Sequence, residues 1–161
     1  MFKFKWLVVL VLFLIAVQPT FADDRAKLLG IWKLVAFEGE FKDTGERFYN
    51  WGKSPKGYVI FTPEGRMTVI IEGEGRKAPK TDQDRAALLR SLIAYSGMYR
   101  IEGNKQITKV DVSWNPMWNG TEQVRFFKFE GDRLVVLTAW GPSPRFPGRV
   151  TRGHMIWERV R

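Results

Sequence analysis

Short apolar runs separated by turn-forming residues recur through most of this chain of 161 residues. The runs are five to twelve residues long and rich in β-branched and aromatic side chains, and Gly, Pro, Asn or Asp stands between them. Such runs are typical of β-strands. Their spacing of about 8–12 residues is typical of an all-β sandwich or barrel. The pattern therefore predicts an all-β fold of eight or nine antiparallel strands.

Three short turns, Thr62–Gly65, Gly103–Lys105 and Glu130–Asp132, join neighbouring runs into predicted hairpins. In the first of them, Pro fixes φ at one turn position and Gly supplies the positive φ that the turn needs. In chain order, the predicted strands are Gly30–Phe41, Glu46–Trp51, Gly57–Phe61, Met67–Glu72, Met98–Glu102, Gln106–Trp114, Glu122–Phe129, Arg133–Trp140 and Val150–Val160.

One amphipathic helix is predicted in the middle of the chain. Thr81 opens a capping-box-like start, and Asp82 and Asp84 lie in the first turn, where the helix dipole favours acids. Gly97 ends the predicted helix. We expect its apolar stripe to pack on the outside or across one end of the sheet. The stripe consists of Leu88, Leu89, Leu92, Ile93 and Ser96.

The first 22 residues are typical of a secretory signal peptide. Lys3 and Lys5 precede an uninterrupted apolar run, Trp6–Val17, and a small-x-small sequence stands before Asp23. The alternative is an uncleaved membrane anchor, but the run is shorter than the ~20 apolar residues that cross a bilayer. We expect cleavage before Asp23, which leaves one domain, Asp23–Arg161, in the periplasm or outside the cell.

Composition excludes several classes of protein. The chain is 45% hydrophobic, which is enough to bury a core, and it contains no cysteine. Disulfide scaffolds, thiolate metal sites and cysteine nucleophiles are therefore excluded. His154 is the single histidine and is expected to be an ordinary half-exposed strand residue. The residues predict no metal, no cofactor and no catalytic residue.

The two ends of the chain are expected to meet. Numerous antiparallel strands hide their edges completely when they close into a barrel, and the first and last strands are then neighbours. Arg159 or Arg161 would lie over the Trp32 indole as a cation–π contact. The alternative is that Trp32 contacts a ligand. A barrel of this size is either filled by side chains or holds one small ligand.

These residues resemble a known family. Gly30-x-Trp32 followed by a late arginine is similar to the end-closing pattern of lipocalins, and the chain as a whole resembles the bacterial lipocalin-like domain family. The resemblance implies a lipocalin-type β-barrel with an internal pocket. The matching stretches are LLGIWKLVAFE, KGYVIFTPEGRMTV, LIAYSGMYRI, NPMWNGTEQVRFFKFEGDRLVV and IWERV, in that order along the chain.

Three polar residues are predicted to face the pocket: Arg66, Gln123 and Arg125. A ligand pocket is mostly apolar with a few placed polar groups, and a buried arginine requires a carboxylate, a phosphate or several carbonyls. The functional interpretation is recognition of an acidic ligand group. The alternative is an internal ion pair of an arginine with one of three acids, which are Glu38, Asp111 and Glu122.

Aromatic residues are the second set of candidates for ligand binding. They would line a cavity suited to flat or hydrophobic molecules, although plain core packing is the alternative. Trp140 opens the loop 140–149, which is predicted to be a lid over the pocket or a patch for anionic surfaces. The remaining predicted ligand-binding aromatics are Tyr58, Tyr95, Tyr99, Trp114 and Trp118.

The leading hypothesis is an exported barrel that binds a small hydrophobic, possibly anionic ligand for sequestration or transport. One alternative is a cofactor-free isomerase or cyclase in which Tyr, Arg and Glu transfer protons in the cavity. Another is an envelope-surface module, because residues 125–161 contain eight basic residues against three acidic ones. Anionic membrane suits that charge, whereas nucleic acid is not expected for an exported protein. The oligomeric state stays open.

Overall fold

The structure is a computed structural model that describes residues 21–160. The predicted signal peptide therefore lies almost entirely outside the described residues, as does Arg161. No helix in the described range combines the length and apolar character that a membrane crossing requires. The strands are β1 (Gly30–Phe41), β2 (Arg47–Tyr49), β3 (Lys56–Phe61), β4 (Arg66–Glu72), β5 (Leu92–Glu102), β6 (Lys105–Ser113), β7 (Glu122–Glu130), β8 (Arg133–Thr138), β9 (Gly141–Pro142) and β10 (Val150–Arg159).

Eight of these strands close into an antiparallel barrel. The order β1-β3-β4-β5-β6-β7-β8-β10 returns to β1, because β1 pairs with β3 on one side and with β10 on the other. Trp32 shows both pairings at once, since it lies opposite Val59 and opposite Arg159. The predicted all-β closed barrel is confirmed, and so is the meeting of the first and last strands.

The two remaining strands extend the sheet beyond the barrel. β2 pairs with Glu38–Glu40 of β1, and β9 pairs with the first residues of β10. Gly39 permits this geometry, because a Cβ atom there would lie 2.1 Å from Cζ of Phe48. The rings of Phe41, Phe48 and Phe146 pack together with centroids 4.6–5.0 Å apart. We call this four-stranded part of the sheet the extension.

Alternation along the strands fills the barrel with apolar side chains. In β10, for example, Met155 and Trp157 are buried in the core, whereas His154 and Glu158 lie on the opposite face of the strand. Burying such side chains is the dominant favourable contribution to folding. The core residues are Leu28, Trp32, Leu34, Phe37, Val59, Phe61, Met67, Val69, Ile71, Tyr95, Tyr99, Val110, Phe127, Leu134, Met155 and Trp157.

A helix, α1 (Phe21–Leu28), covers one end of the barrel, which we call the closed end. Leu28 is buried in the core, and its carbonyl accepts a hydrogen bond of 2.8 Å from Nε1 of Trp32. The Arg159 guanidinium lies 4.3 Å from the centre of the Trp32 ring and donates to the carbonyl oxygens of Lys27 and Leu29. The predicted cation–π contact is confirmed, and Arg159 is the residue that makes it.

The mid-chain helix, α2 (Asp82–Arg90), is shorter than predicted. Its capping box at Thr81 is confirmed, but the prediction that the helix continues to Gly97 is wrong, because Leu92 already begins β5 and pairs with Glu72. Nη1 of Arg76 donates to carbonyl oxygens at the end of α2 and so terminates it. None of the nine residues of α2 is buried, so the predicted apolar stripe does not form.

Replacement of Arg159 tests the closed end. We expect Arg159→Met to lower the free energy of unfolding by about 1–3 kcal/mol, because the cation–π contact and two charge-assisted hydrogen bonds are lost together. Urea unfolding followed by tryptophan fluorescence measures this change. Arg133→Met is the matched control, since Arg133 is exposed and no carboxylate of the described residues lies within 4.0 Å of it. Equal effects of the two replacements would contradict the role of Arg159.

Candidate functional site

A polar patch interrupts the apolar lining of the barrel on β6 and β7. Gln106 and Thr108 are buried, and they share the inner face of β6 with the core residue Val110. On β7 they lie opposite Arg125 and Gln123, respectively, which share the inner face with Phe127. We call Gln106, Thr108, Gln123 and Arg125 the inner polar stripe. A barrel that served only as a packed core would have no need of this patch.

Hydrogen bonds within the inner polar stripe join neutral groups or the guanidinium to neutral acceptors. Nε2 of Gln106 donates to Oγ1 of Thr108. Nη1 of Arg125 donates to the carbonyl oxygen of Val124 at 2.8 Å, and Nη2 donates to Oε1 of Gln123 at 3.3 Å. The stripe is therefore ordered by its own members. The charge of Arg125 is not balanced by these contacts.

Among the described residues, the buried Tyr99 hydroxyl has no hydrogen-bond partner. Tyr99 lies on β5 opposite Thr108 of the stripe. Its ring packs edge-on against Phe61 at 5.1 Å, and the Arg25 guanidinium of α1 lies 5.8 Å from its centre, so the ring is directed towards the closed end. An unsatisfied buried hydroxyl costs about 1–3 kcal/mol. Such a group in a folded protein calls for an explanation, of which a partner from outside the chain is one.

Three aromatic side chains cover the stripe at the barrel end opposite α1. The ring of Trp118 lies 5.4 Å from that of Tyr95 and 4.8 Å from that of Trp114. The Arg125 guanidinium is 5.8 Å from the Trp118 ring. We call Tyr95, Trp114 and Trp118 the aromatic rim. Trp114 and Trp118 are only partly buried, so this end of the barrel is less tightly sealed than the core.

Local sequence chemistry places Trp118. It ends a short 3₁₀ helix, Pro116–Trp118, in which proline supplies the fixed φ of a first helical position. Oδ1 of Asn115 accepts a hydrogen bond from the backbone N–H of Met117 at 3.2 Å and caps that helix. The helix connects β6 to β7, so Trp118 is carried over the inner face of both strands.

Six of the nine predicted ligand-binding residues come together at this place. They belong to the stripe, to the aromatic rim or, for Tyr99, to the position next to the stripe. The predicted set omits Gln106 and Thr108, although both lie on the same strand face as Val110 in the alternating run of β6. The six residues are Tyr95, Tyr99, Trp114, Trp118, Gln123 and Arg125.

The other three predicted residues lie outside the barrel. Tyr58 is 46% exposed, because its neighbours Gly57 and Val59 take the inner positions of β3. Arg66 pairs with Asp111 at 2.8 Å on the outer face. Both residues occupy outward-facing positions of their strands, so the prediction that they line the pocket is wrong.

Trp140 is the third of these residues. It is 37% exposed, and the Arg152 guanidinium stacks 4.4 Å from the centre of its ring. The loop that follows Trp140 is also fixed in place, because Phe146 packs against Phe41 in the extension. The loop is thus anchored on the extension rather than laid over the aromatic rim.

The three acids considered as partners of Arg125 all pair with other arginines on the outer face. Glu122 pairs with Arg100 at 2.7 Å, Asp111 with Arg66 at 2.8 Å, and Glu38 with Arg47 at 3.4 Å. The neighbouring guanidinium groups lower the pKa of Glu122 and of Asp111. Within the described residues, Arg125 has no carboxylate within 4.0 Å. The predicted alternative of an internal ion pair is therefore wrong for Arg125. Arg66 does pair with Asp111, one of the three predicted acids, although on the outer face.

The surface of the molecule carries several cavities. One of about 700 Å³ lies at the closed end, where Lys27, Trp32 and Arg133 contribute to its lining. Four others, of about 250–440 Å³, also open to solvent. None of these five is lined by Tyr99, Gln123 or Arg125. In the described part of the chain, no three His, Asp or Glu side chains are grouped to hold a metal ion.

His154 lies on the outer face of β10, away from the stripe. It is 7% exposed, so the expectation of a half-exposed residue is wrong. Its Nδ1 has no hydrogen-bond partner within residues 21–160. Burial is the main cause that lowers its pKa below the usual value, and the charge of Arg47 acts in the same direction. The nearby carboxylates Glu38 and Glu40 oppose this shift, whereas Arg152 adds to it. The folded protein therefore favours the neutral imidazole.

Comparison with known proteins gives one result that bears on the whole barrel. A family model described as a lipocalin-like domain matches residues 29–160. This range runs from the start of β1 to the end of β10. No curated protein sequence matches the chain.

The state of His154 predicts a dependence of stability on pH. The unfolded chain takes up a proton near pH 6.5, whereas the folded protein does so at lower pH. Stability is therefore greatest above about pH 6.5 and falls as the pH decreases through the lowered pKa of His154. Urea unfolding at pH 7, 6 and 5 measures this slope. His154→Gln should flatten it, and because the chain has no other histidine, an unchanged slope would rule out His154 as its source.

Proposed function

Since the chain belongs to the family of lipocalin-like domains, we propose that it binds a small, mainly apolar molecule inside its barrel for sequestration or transport. Barrels of eight strands are just wide enough to hold one such molecule. The observation that carries the proposal is the inner polar stripe, which faces an otherwise apolar barrel interior. Ligand pockets combine apolar walls with a few placed polar groups in this way.

The place proposed for the ligand is the end of the barrel under the aromatic rim. Towards the closed end, large residues such as Trp32, Trp157 and Phe61 fill the interior completely. Trp118 is only partly buried and is carried by a short 3₁₀ helix. Entry of a ligand requires Trp118 to move away from Arg125. Tyr95 and Trp114 then remain as an aromatic wall for its apolar body.

We also propose that the protein works outside the cytoplasm, in the periplasm or in the medium. The support is the sequence of the first 22 residues, with two lysines, an apolar run and a small residue before Asp23. Cleavage there would remove the first two residues of α1 and keep Leu28, the residue of α1 that is buried in the core. Processing is thus compatible with the contacts that close the barrel.

Intact-mass measurement tests export. Protein recovered from the envelope or the medium of its own host is expected to begin at Asp23. The matched variant Ala22→Arg should block cleavage, because signal peptidases require a small residue at that position. Recovery of the unprocessed wild-type chain, beginning at Met1 and held in the membrane fraction, would instead support the alternative of an anchor.

Fluorescence of a neutral apolar probe, N-phenyl-1-naphthylamine, tests binding in the barrel. We expect Trp118→Ala to strengthen probe binding by about threefold to tenfold, because the probe no longer has to displace the indole. Trp140→Ala removes the same side chain from the outer face and should leave binding unchanged. Native mass spectrometry of protein from the host should also show a bound small molecule.

Three results would count against the proposal. They are no probe binding by the wild-type protein, no bound mass in the native spectrum, and a larger effect of Trp140→Ala than of Trp118→Ala. The last of these would move the binding site from the barrel to its outer face.

A further inference from the structure

We propose that the ligand is a monoanionic carboxylic acid and that Arg125 binds its carboxylate. This inference rests on the proposed function, since it assumes that a ligand enters the barrel. It adds the chemical class of the ligand and the residue that selects it.

The first support is the unbalanced charge of Arg125. Its side chain lies on the inner face of β7, partly buried, between the positions of Gln123 and the core residue Phe127. A guanidinium has five N–H donors, and the two hydrogen bonds to Val124 and Gln123 reach only neutral acceptors. A desolvated cation without an anion is costly, so an anionic ligand group here gains a partner that the fold has already placed.

The second support is the contrast with arginines on the outer face. Five of them are paired with carboxylates at 2.7–3.4 Å. The chain thus has acids close to this part of the barrel, but they face outwards. The paired arginines are Arg47, Arg66, Arg100, Arg149 and Arg152.

The third support is the set of donors around Arg125. The guanidinium uses two of its five N–H donors within the chain, so it keeps donors for the two parallel hydrogen bonds that a carboxylate accepts. Gln106 lies directly opposite Arg125 on β6. A carboxylate has about four acceptor sites, so the Gln106 amide complements the guanidinium.

The count of charges selects a carboxylate over a phosphate. The buried residues of the described chain include no lysine, arginine, aspartate or glutamate. Arg125 therefore supplies a single partly buried positive charge to the interior. A phosphate monoester carries a charge of about −1.5 to −2 at neutral pH and would be left with uncompensated charge in the barrel. A carboxylate carries one charge and is matched by one guanidinium.

A matched pair of ligands tests the inference. Dodecanoic acid and dodecanol have the same apolar chain and differ in the head group. Each is allowed to compete with the neutral probe N-phenyl-1-naphthylamine for binding to the protein that begins at Asp23. We expect the wild-type protein to bind the acid about tenfold or more tightly than the alcohol. Arg125→Gln should abolish this preference by weakening the acid alone. Arg133→Gln removes the same charge at the closed end and should preserve it.

The possible failures are distinguishable. If neither compound displaces the probe and no probe binds, the proposed function fails. If both bind the wild-type protein equally, or if Arg125→Gln keeps the preference, the carboxylate inference is wrong while binding in the barrel stands.

A pH titration of the wild-type protein covers the case in which Arg125→Gln does not fold. Affinity for the acid should fall as the pH drops below about 5, where a carboxylic acid becomes neutral, and affinity for the alcohol should stay constant. Parallel curves for the two compounds would overturn the inference. Arg125→Lys, which keeps the charge but loses the two parallel hydrogen bonds, should retain only part of the preference.

Discussion

The pairing of β1 with β10 is the contact on which the rest of the molecule depends. It joins the first and last strands of the barrel over most of their length, from Trp32 opposite Arg159 to Phe41 opposite Thr151. Without it the sheet would present two long free edges and an exposed apolar face. The Arg159 guanidinium, laid over Trp32 and bonded to two carbonyl oxygens, fixes the register of this pairing at the closed end. Closure gives the sheet an inner face. The polar stripe is a candidate binding site because it lies on that face.

Closure also divides the interior into two parts with different chemistry. Towards α1, tryptophan, phenylalanine and tyrosine rings pack the barrel. Here the indole N–H of Trp157 and the hydroxyl of Tyr99 have no hydrogen-bond partner among the described residues. Under the aromatic rim, one arginine and three uncharged polar residues share the interior with partly buried rings. The first part stabilises the fold. In the second part, a bound ligand would replace contacts that the chain makes with itself, such as the one between Trp118 and Arg125. The proposed function belongs to the second part alone.

Sequence patterns predicted the fold better than they predicted the site. Turn residues and alternating side chains predicted the strands, because strands depend on neighbours along the chain. The expected contact between Trp32 and a C-terminal arginine predicted the closure of the barrel, because it joins the two ends of the chain. The helix was overextended, since Leu92 and Ile93 suit a helix face as well as a strand and only pairing with β4 decides between them. The sequence does not indicate which residues of β3 face the interior, because Tyr58 and Ile60 are as apolar as Val59 and Phe61.

The partners of charged groups were harder still to predict. Asp111 sits at a bulge where β6 loses register with β5, and this turns both Asp111 and Val112 outwards. A sequence gives no sign of such a bulge, so Asp111 remained a candidate partner for an arginine inside the barrel. Arg125 and Gln123 were assigned correctly to one face, since β7 alternates regularly up to the core residue Phe127. What could not be predicted is that every nearby acid is taken by another arginine.

The free edges of the sheet lie in the extension, at β2 and β9. β2 offers three residues and β9 only two, and the second residue of β9 is Pro142, which has no N–H to donate. Phe41, Phe48 and Phe146 pack on one another instead of lying along an open ladder. Edges this short are poor templates for a strand of another molecule. The extension therefore offers a second copy of the chain little backbone to which it could add a strand.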